Sequence, residues 1–440
     1  MINNLSKLIF YGNTVIFKNF TQLWNMKLCL LLIVLILLLT PGSLFAQKTD
    51  WGKDVITGAE RMDVYLPMLK GKKVAVFANQ TSMVQRTHLV DTLLASGIKV
   101  VKIFGPEHGF RGTADFGVKV GDEKDEKTGI PVISLYGKHR KPTVDDLKDV
   151  DVLIFDIQDV GVRFYTYISS LEYYLEAALE NHKPLLILDR PNPNGFYVDG
   201  PILQPKFKSF IGMQPVPIVY GLTIGEYALL LAGENMLSDA ANKANAYNVT
   251  TKPTADTPFH VQVIKCKYYD HNTKYQLPVM PSPNLKRMQA IYLYPTTCFF
   301  EGTVFSEGRG TATPFEVYGH PAMPSNLYSF IPKPMDGAKE SKNYFKTCYG
   351  YNLGGSKEEV LQRINGRIQL RYFLEAYKQF PGKDSFFLKT NFISKLTGND
   401  EFSKQVKQGL SEEQIRKSWE PGLSEYKKVR KKYLLYDDFK

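Results

Sequence analysis

Five short apolar runs in the first half of the chain set the tightest limit on its fold. They are Val74-Ala75-Val76-Phe77, Val100-Val101-Lys102-Ile103-Phe104, Val132-Ile133-Ser134-Leu135, Val152-Leu153-Ile154-Phe155 and Leu185-Leu186-Ile187-Leu188. A strand with one wet face alternates apolar and polar residues, whereas these runs are nearly continuous, as in a parallel sheet covered on both faces. Between them, Ile168, Leu171, Leu175, Ala178 and Leu179 fall at helical intervals and predict a crossover helix ending near Asn181. A second helix is expected over His88 to Ser96, with Gly97 as its stop. Strand alternating with helix implies an α/β fold, a Rossmann-like, doubly wound and mostly parallel sheet. After the first run stands Asn79-Gln80-Thr81-Ser82 and not the GxGxxG turn that receives a pyrophosphate, so no nicotinamide cofactor is expected.

The texture changes from about Phe210. Pro215 and Pro217 interrupt it, an isolated helix is expected over Ile224 to Asn235, and a tyrosine-rich strand over Val261 to Tyr269. Residues 47–210 are therefore read as the Rossmann-like domain and 211–440 as a second, smaller α+β domain. The stretch from Glu412 is charged and helical in character and reads as a solvated helix.

Before residue 47 the chain has a different character. Met26-Lys27 precedes an unbroken apolar run from Leu28 to Leu39, followed by Thr40-Pro41-Gly42-Ser43-Leu44-Phe45-Ala46-Gln47. A basic start, a short apolar segment and a small residue before a polar one form the pattern of a cleaved export signal. The run falls short of the about 20 residues that span a bilayer, so no membrane association is expected after cleavage. Residues 1–25 read as an upstream extension. With residues 1–46 removed, Lys7, Lys18 and Lys27 go and no acid is lost, which leaves 52 basic against 44 acidic residues. Such a surplus favours anionic partners. No dense Lys/Arg tract with interleaved aromatics accompanies it, which argues against nucleic acid. Cys266, Cys298 and Cys348 are scattered, the seven histidines are dispersed, and HExxH and CxxC are lacking, so neither a disulfide framework nor a metal is expected.

In an open parallel sheet, ligands bind beyond the carboxyl ends of the strands. The second run leads into Gly105-Pro106-Glu107-His108-Gly109-Phe110-Arg111-Gly112, the fourth into Asp156-Ile157-Gln158-Asp159-Val160-Gly161-Val162-Arg163-Phe164-Tyr165, and the fifth into Asp189-Arg190-Pro191-Asn192. Carboxylates, amides, arginines and tyrosines on one edge suit a sugar, whose hydroxyls need acceptors and donors and whose ring needs an aromatic face. Glu107 and His108 are the leading catalytic candidates, with Asp156 beside them. Asn79, Arg111, Gln158, Arg163, Tyr165, Asp189, Arg190 and Asn192 are expected to bind substrate. The second domain adds Glu226 in Leu222-Thr223-Ile224-Gly225-Glu226, Asn284 in Pro281-Ser282-Pro283-Asn284, Glu301 beside Gly302, and Glu307 and Arg309 in a glycine-rich loop. Structural roles compete at several positions. Asp156 and Asp189 would also cap turns, Arg163 and Arg190 would also neutralise those aspartates, His108 would also buttress its neighbour, and Glu226 would also close a capping box on Thr223.

These segments resemble a known family. PEHGFRG from Pro106, DIQDVGVRFYTY from Asp156, DRPNP from Asp189, LTIGE from Leu222, PSPN from Pro281 and SEGRGT from Ser306 are together similar to the NamZ-type exo-β-N-acetylmuramidases, over about Gly58 to Tyr436. The resemblance implies a Rossmann-like domain with a smaller C-terminal domain, a cleft between them, and release of N-acetylmuramic acid (MurNAc) from the non-reducing end of peptidoglycan fragments. It also implies that Glu107 is the principal catalytic acid. Glycoside cleavage needs a protonated acid at the leaving oxygen, and either a second carboxylate or the substrate's 2-acetamido group at the anomeric carbon. Asp156, Glu226 and Glu307 stand as second acids, and Arg163, Arg190 and Arg309 as partners for the lactyl carboxylate of MurNAc. The same polar loops would also suit an exo-β-N-acetylglucosaminidase or a muropeptide-binding protein without catalysis.

Overall fold

The apolar runs form the core of an eight-stranded sheet in the computed structural model, which describes residues 52, 54–107, 109–110, 123–245, 249–250 and 261–439. Its strands are β1 (Lys73–Ala78), β2 (Lys99–Gly105), β3 (Glu123–Lys124), β4 (Pro131–Ser134), β5 (Val152–Asp156), β6 (Leu185–Leu188), β7 (Val249–Thr250) and β8 (Val261–Ile264). Their order across the sheet is β3-β4-β2-β1-β5-β6-β8-β7. Every pairing is parallel except β3 with β4. Successive residues point to opposite faces. Ala75, Phe77, Leu153, Phe155, Leu185 and Ile187 pack one way, against the helices Tyr167–Glu180 and Ile224–Gly233. Val74, Val76, Ile154, Leu186 and Leu188 pack the other way, against Met62–Leu69 and Leu89–Ala95. Two covered faces are the reason the runs are apolar throughout, and the α/β, doubly wound expectation holds.

The chain builds outward from β1 through β2 to β4 on one side, then returns to β5 and continues through β6 to β8 on the other. The reversal between β1 and β5 opens a crevice beyond the carboxyl ends of those strands. The expected helix stop is seen at Gly97, with φ +76°, after Leu89–Ala95, and Tyr167–Glu180 ends at Asn181. The sheet draws on residues well past 210, because Val261–Ile264 pairs in parallel with Leu185–Leu188 and so belongs to the main sheet. All four of its residues are buried, which a run of only four residues could not announce from sequence.

The smaller C-terminal part is α+β. Strands β9 (Val317–His320), β10 (Tyr328–Phe330) and β11 (Cys348–Asn352) form an antiparallel sheet in the order β9-β11-β10. It packs on a core rich in aromatic residues, where Phe300 stacks on Tyr318 at 4.2 Å and Phe299, Phe305, Phe373, Phe386 and Phe402 are buried. Each such ring removed from water contributes roughly 2–3 kcal/mol. The last helix, Glu412–Arg430, is charged on its outer face but buries Ile415, Trp419, Tyr426 and Arg430. Beyond it the chain laces back onto the main sheet's edge. Tyr436 Oη donates to Asp189 at 2.6 Å and the Leu435 amide donates to Glu226 at 2.8 Å.

Candidate active site

Past the end of β2 the chain turns at once, and Glu107 is half-buried at the rim of a cavity of about 230 Å³. Glu107 Oε1 accepts a hydrogen bond of 2.9 Å from the hydroxyl of Tyr136, which follows β4. Burial and then the charge of Glu107 push the Tyr136 hydroxyl well above the usual phenol range, so it remains a donor. The Tyr136 loop also brings Arg140 to the cavity, where its guanidinium lies 4.3 Å from the centre of the Phe210 ring.

The segment after β5 supplies an aromatic wall. Gly161, at φ +77°, turns the chain where a Cβ would lie 2.1 Å from Asn192 Oδ1, so no other residue fits there. Downstream, Phe164, Tyr165 and Tyr167 line the cavity. The rings of Tyr165 and Tyr167 meet edge to face at 4.7 Å, and both hydroxyls donate to the Pro281 carbonyl, at 3.0 and 3.1 Å. Tyr294 and Phe315 extend the wall from the C-terminal side.

That side also brings Asn284, Glu301 and Arg309 to the cavity. The PSPN turn holds Asn284, whose Nδ2 donates to Gly337 O at 2.7 Å. Arg309 donates to Glu301 Oε1 from Nε and Nη2, at 3.1 and 2.6 Å, and pairs with Glu307 at 3.3 Å. Lys342 reaches the other oxygen of Glu307 at 2.8 Å. Burial works against the charge on Arg309, but Glu301 and Glu307 outweigh it and hold the guanidinium protonated. Two acids and two cations thus balance in this cluster.

Five of the residues expected from sequence meet at this cavity: Glu107, Tyr165, Asn284, Glu301 and Arg309. His108 and Arg111 lie outside the described residues. The other expected residues are engaged below or beside the cavity, in contacts that explain them without a ligand. Asp156 accepts from Arg190 Nε at 2.6 Å and Nη2 at 2.9 Å, a buried pair, and Arg190 also donates to Met83 O at the wall of a second cavity. Asp189 accepts from the Gly225 amide, Thr223 Oγ1 and Tyr436 Oη, and burial raises its pKa to about 6. Glu226 closes the capping box of Ile224–Gly233 on Thr223 and faces His271 at 3.0 Å. Arg163 is fully buried and donates to the carbonyls of Pro201, Val216 and Leu396, and burial lowers its pKa to about 9. Gln158 donates to Asp159 O and Pro191 O, Asn192 to Leu222 O, and Asn79 to Tyr167 Oη. Glu307 stands behind Arg309, buried.

Arg163 and Arg190 do not line this cavity; Arg163 is bonded to three backbone carbonyls, and Arg190 to Asp156 and Met83 O. Asp156, Glu226 and Glu307, expected as second acids, likewise do not line it and are paired with Arg190, His271 and Arg309. Tyr136 and Arg140 escaped the sequence reading, although the strand-end rule that selected Glu107 applies equally to the loop after Val132-Ile133-Ser134-Leu135.

The chain matches two family models in succession: Exo-beta-N-acetylmuramidase NamZ, N-terminal, over residues 74–289, and Exo-beta-N-acetylmuramidase NamZ, C-terminal, over residues 292–436. It is 39% identical over 392 residues to the peptidoglycan beta-N-acetylmuramidase NamZ of Bacillus subtilis (strain 168), covering 84% of this chain and 89% of that one. A crystal structure of a DUF1343 family protein from Bacteroides fragilis superposes with a TM-score of 0.77 at 45% identity, over 88% of this chain and 99% of that one. A second such protein from the same organism gives 0.69 at 28% identity, over 87% and 99%. With a doubly wound sheet, a smaller C-terminal domain and a cavity between loops of both, this chain belongs to the NamZ family of exo-β-N-acetylmuramidases.

Proposed function

We infer that the protein is an exo-acting glycosidase that releases β-linked MurNAc from the non-reducing end of peptidoglycan fragments. One observation carries the chemistry: a cavity of sugar size joins a strand-end carboxylate, Glu107, to an aromatic wall, an amide and cations. The B. subtilis relative is named for this activity.

In this reading Glu107 protonates the leaving oxygen and the Tyr136 hydroxyl, 2.9 Å from Oε1, fixes the carboxyl group for that transfer. Tyr165 and its neighbours supply the face on which the sugar ring rests. Positive charge at the anomeric carbon needs a nucleophile. Glu301 is the other carboxylate lining the cavity among the described residues, and Arg309 holds one of its oxygens from two nitrogens. The substrate's own 2-acetamido oxygen is the freer group, and we assign it that role. A thiazoline analogue of MurNAc should then inhibit far more tightly than MurNAc itself, and equal inhibition would remove the assignment.

Export is part of the proposal. It rests on the order of residues from Met26 to Gln47 and places the enzyme in the periplasm or outside the cell, where wall turnover delivers its substrate. The protein recovered from cells should begin at Gln47. The activity itself is tested by incubating the enzyme with MurNAc-GlcNAc and separating the products. Free MurNAc and GlcNAc are expected, and intact disaccharide after prolonged incubation would overturn the reading in favour of a binding protein.

A further inference from the structure

We propose that Arg140 is the residue that selects MurNAc over sugars lacking an acid, by pairing with the lactyl carboxylate. The proposal rests on the glycosidase reading above and names the specificity determinant within that same cavity.

Several cations lie near the cavity or in the loops beside it. Arg163 and Arg190 are sealed and bonded to backbone or to Asp156. Arg309 lines the cavity but stands between Glu301 and Glu307, with Lys342 completing a balanced group. Next to Arg140 in sequence, Lys141 is held by Glu176 and Glu180 at 2.9 and 2.7 Å. His139 meets Asp146 at 3.1 Å. Arg140 differs from all of these. It lines the cavity, yet among the described residues no acid pairs with it and no acceptor takes a hydrogen bond from it, and its Nε is closed off from solvent. Its contact is the Phe210 ring.

A half-buried guanidinium whose Nε is sealed without an acceptor has lost water there without regaining a partner. Stacking on an aromatic face immobilises the fork, and a carboxylate is the group whose two oxygens match that fork. The terminal sugar of a peptide-free substrate carries one acid, the lactyl carboxylate at O3. That carboxylate needs a cation where the cavity takes it out of water. Arg140 meets that need and leaves Glu107 to the glycosidic oxygen.

The test compares the 4-nitrophenyl β-glycoside of MurNAc with its lactyl methyl ester, on the wild-type enzyme and on R140M and R140K. For the wild type, esterification should raise KM at least thirtyfold while kcat moves less than threefold. R140M should show the raised KM on the acid, gain little further from esterification, and keep the pH limits of kcat. R140K should recover part of the difference. Equal KM values for acid and ester on the wild type would overturn the proposal without recourse to a variant. So would an R140M enzyme that still favours the acid by the wild-type ratio, or one whose pH profile moves in place of KM. Should R140M fail to fold, judged by its melting curve, R140Q and the wild-type ester comparison decide. Failure of the glycosidase reading looks different: no nitrophenol is released from either glycoside. Calorimetry with free MurNAc and GlcNAc then still asks whether Arg140 recognises the acid, and equal binding of the two sugars would sink it.

Discussion

Two groups of charged residues sit at the carboxyl edge of the same sheet, and they differ in what surrounds them. Glu107, Glu301, Arg309 and Arg140 open onto the candidate cavity, whereas Asp156, Arg190, Asp189 and Glu226 are buried away from it, Arg190 reaching only the wall of a second one. The sealed group ties loops together: Asp156 to the loop after β6, Asp189 to the capping turn of Ile224–Gly233 and to Tyr436, Glu226 to His271 and Leu435. Residue type is common to both groups, and each includes residues from loops that follow strands of the main sheet. Access to water separates them, and that is fixed by segments distant in sequence. The lesson is that a strand-end ionic residue acts on a ligand only where neighbouring loops leave its atoms exposed.

The sharpest way to break this contrast is at Glu107. Glu107→Gln keeps size and a carbonyl acceptor for Tyr136, but removes the transferable proton. Turnover should fall by three or more orders of magnitude, on the order of 4 kcal/mol or more of transition-state stabilisation, with the melting temperature unchanged. A chromogenic MurNAc glycoside checks this, and retention of more than a tenth of the activity would remove Glu107 from the role of acid.

In the sealed group the effects should reverse. Arg190→Met leaves Asp156 buried without its bidentate partner, at a cost of about 3–5 kcal/mol in stability. Denaturant unfolding should register the loss, while the ratio of activities on MurNAc and GlcNAc glycosides stays at the wild-type value. A change in that ratio with full stability would return Arg190 to the binding site.

A third probe uses pH. Glu172, on the helix Tyr167–Glu180 and 1% exposed, accepts from Gln214 Nε2 at 2.6 Å, and burial raises its pKa to about 8. The folded protein therefore holds this proton to higher pH than the unfolded chain does, whose glutamate titrates near 4.5. Its contribution is fully present below that value and declines as pH rises towards 8. Stability should fall by roughly 2 kcal/mol between pH 6 and pH 8 on this account. Glu172→Gln should remove that part of the slope, and an unchanged slope in urea titrations would show that Glu172 is ionised in the fold.

How much of this was legible in sequence follows from the same contrast. Apolar runs declare a covered parallel sheet directly, because both faces write themselves into consecutive residues. The short strand Val261–Ile264 did not declare its sheet, since a run of four residues following a proline-broken stretch does not say which partner it joins. At the site, Glu107, Tyr165, Asn284, Glu301 and Arg309 were found because strand ends, stiff turns and glycine-rich loops are local features. The structural side of Arg163 was not legible, because its three carbonyl partners, Pro201, Val216 and Leu396, lie far along the chain. Arg140 was missed because its distinguishing property is the lack of a partner in space, which no local pattern records.

The smallest expected effect lies at the boundary between the two groups. Tyr136 lines the cavity, yet its hydroxyl serves Glu107 in the way that Tyr436 serves Asp189, as a neutral donor to a carboxylate. Tyr136→Phe removes one neutral hydrogen bond and little volume, so stability should change by no more than about 1 kcal/mol. If the hydroxyl orients the acid, kcat should fall about tenfold with KM nearly constant, because the carboxyl group then samples positions away from the leaving oxygen. A fall confined to KM would instead make Tyr136 part of the sugar platform, alongside Tyr165.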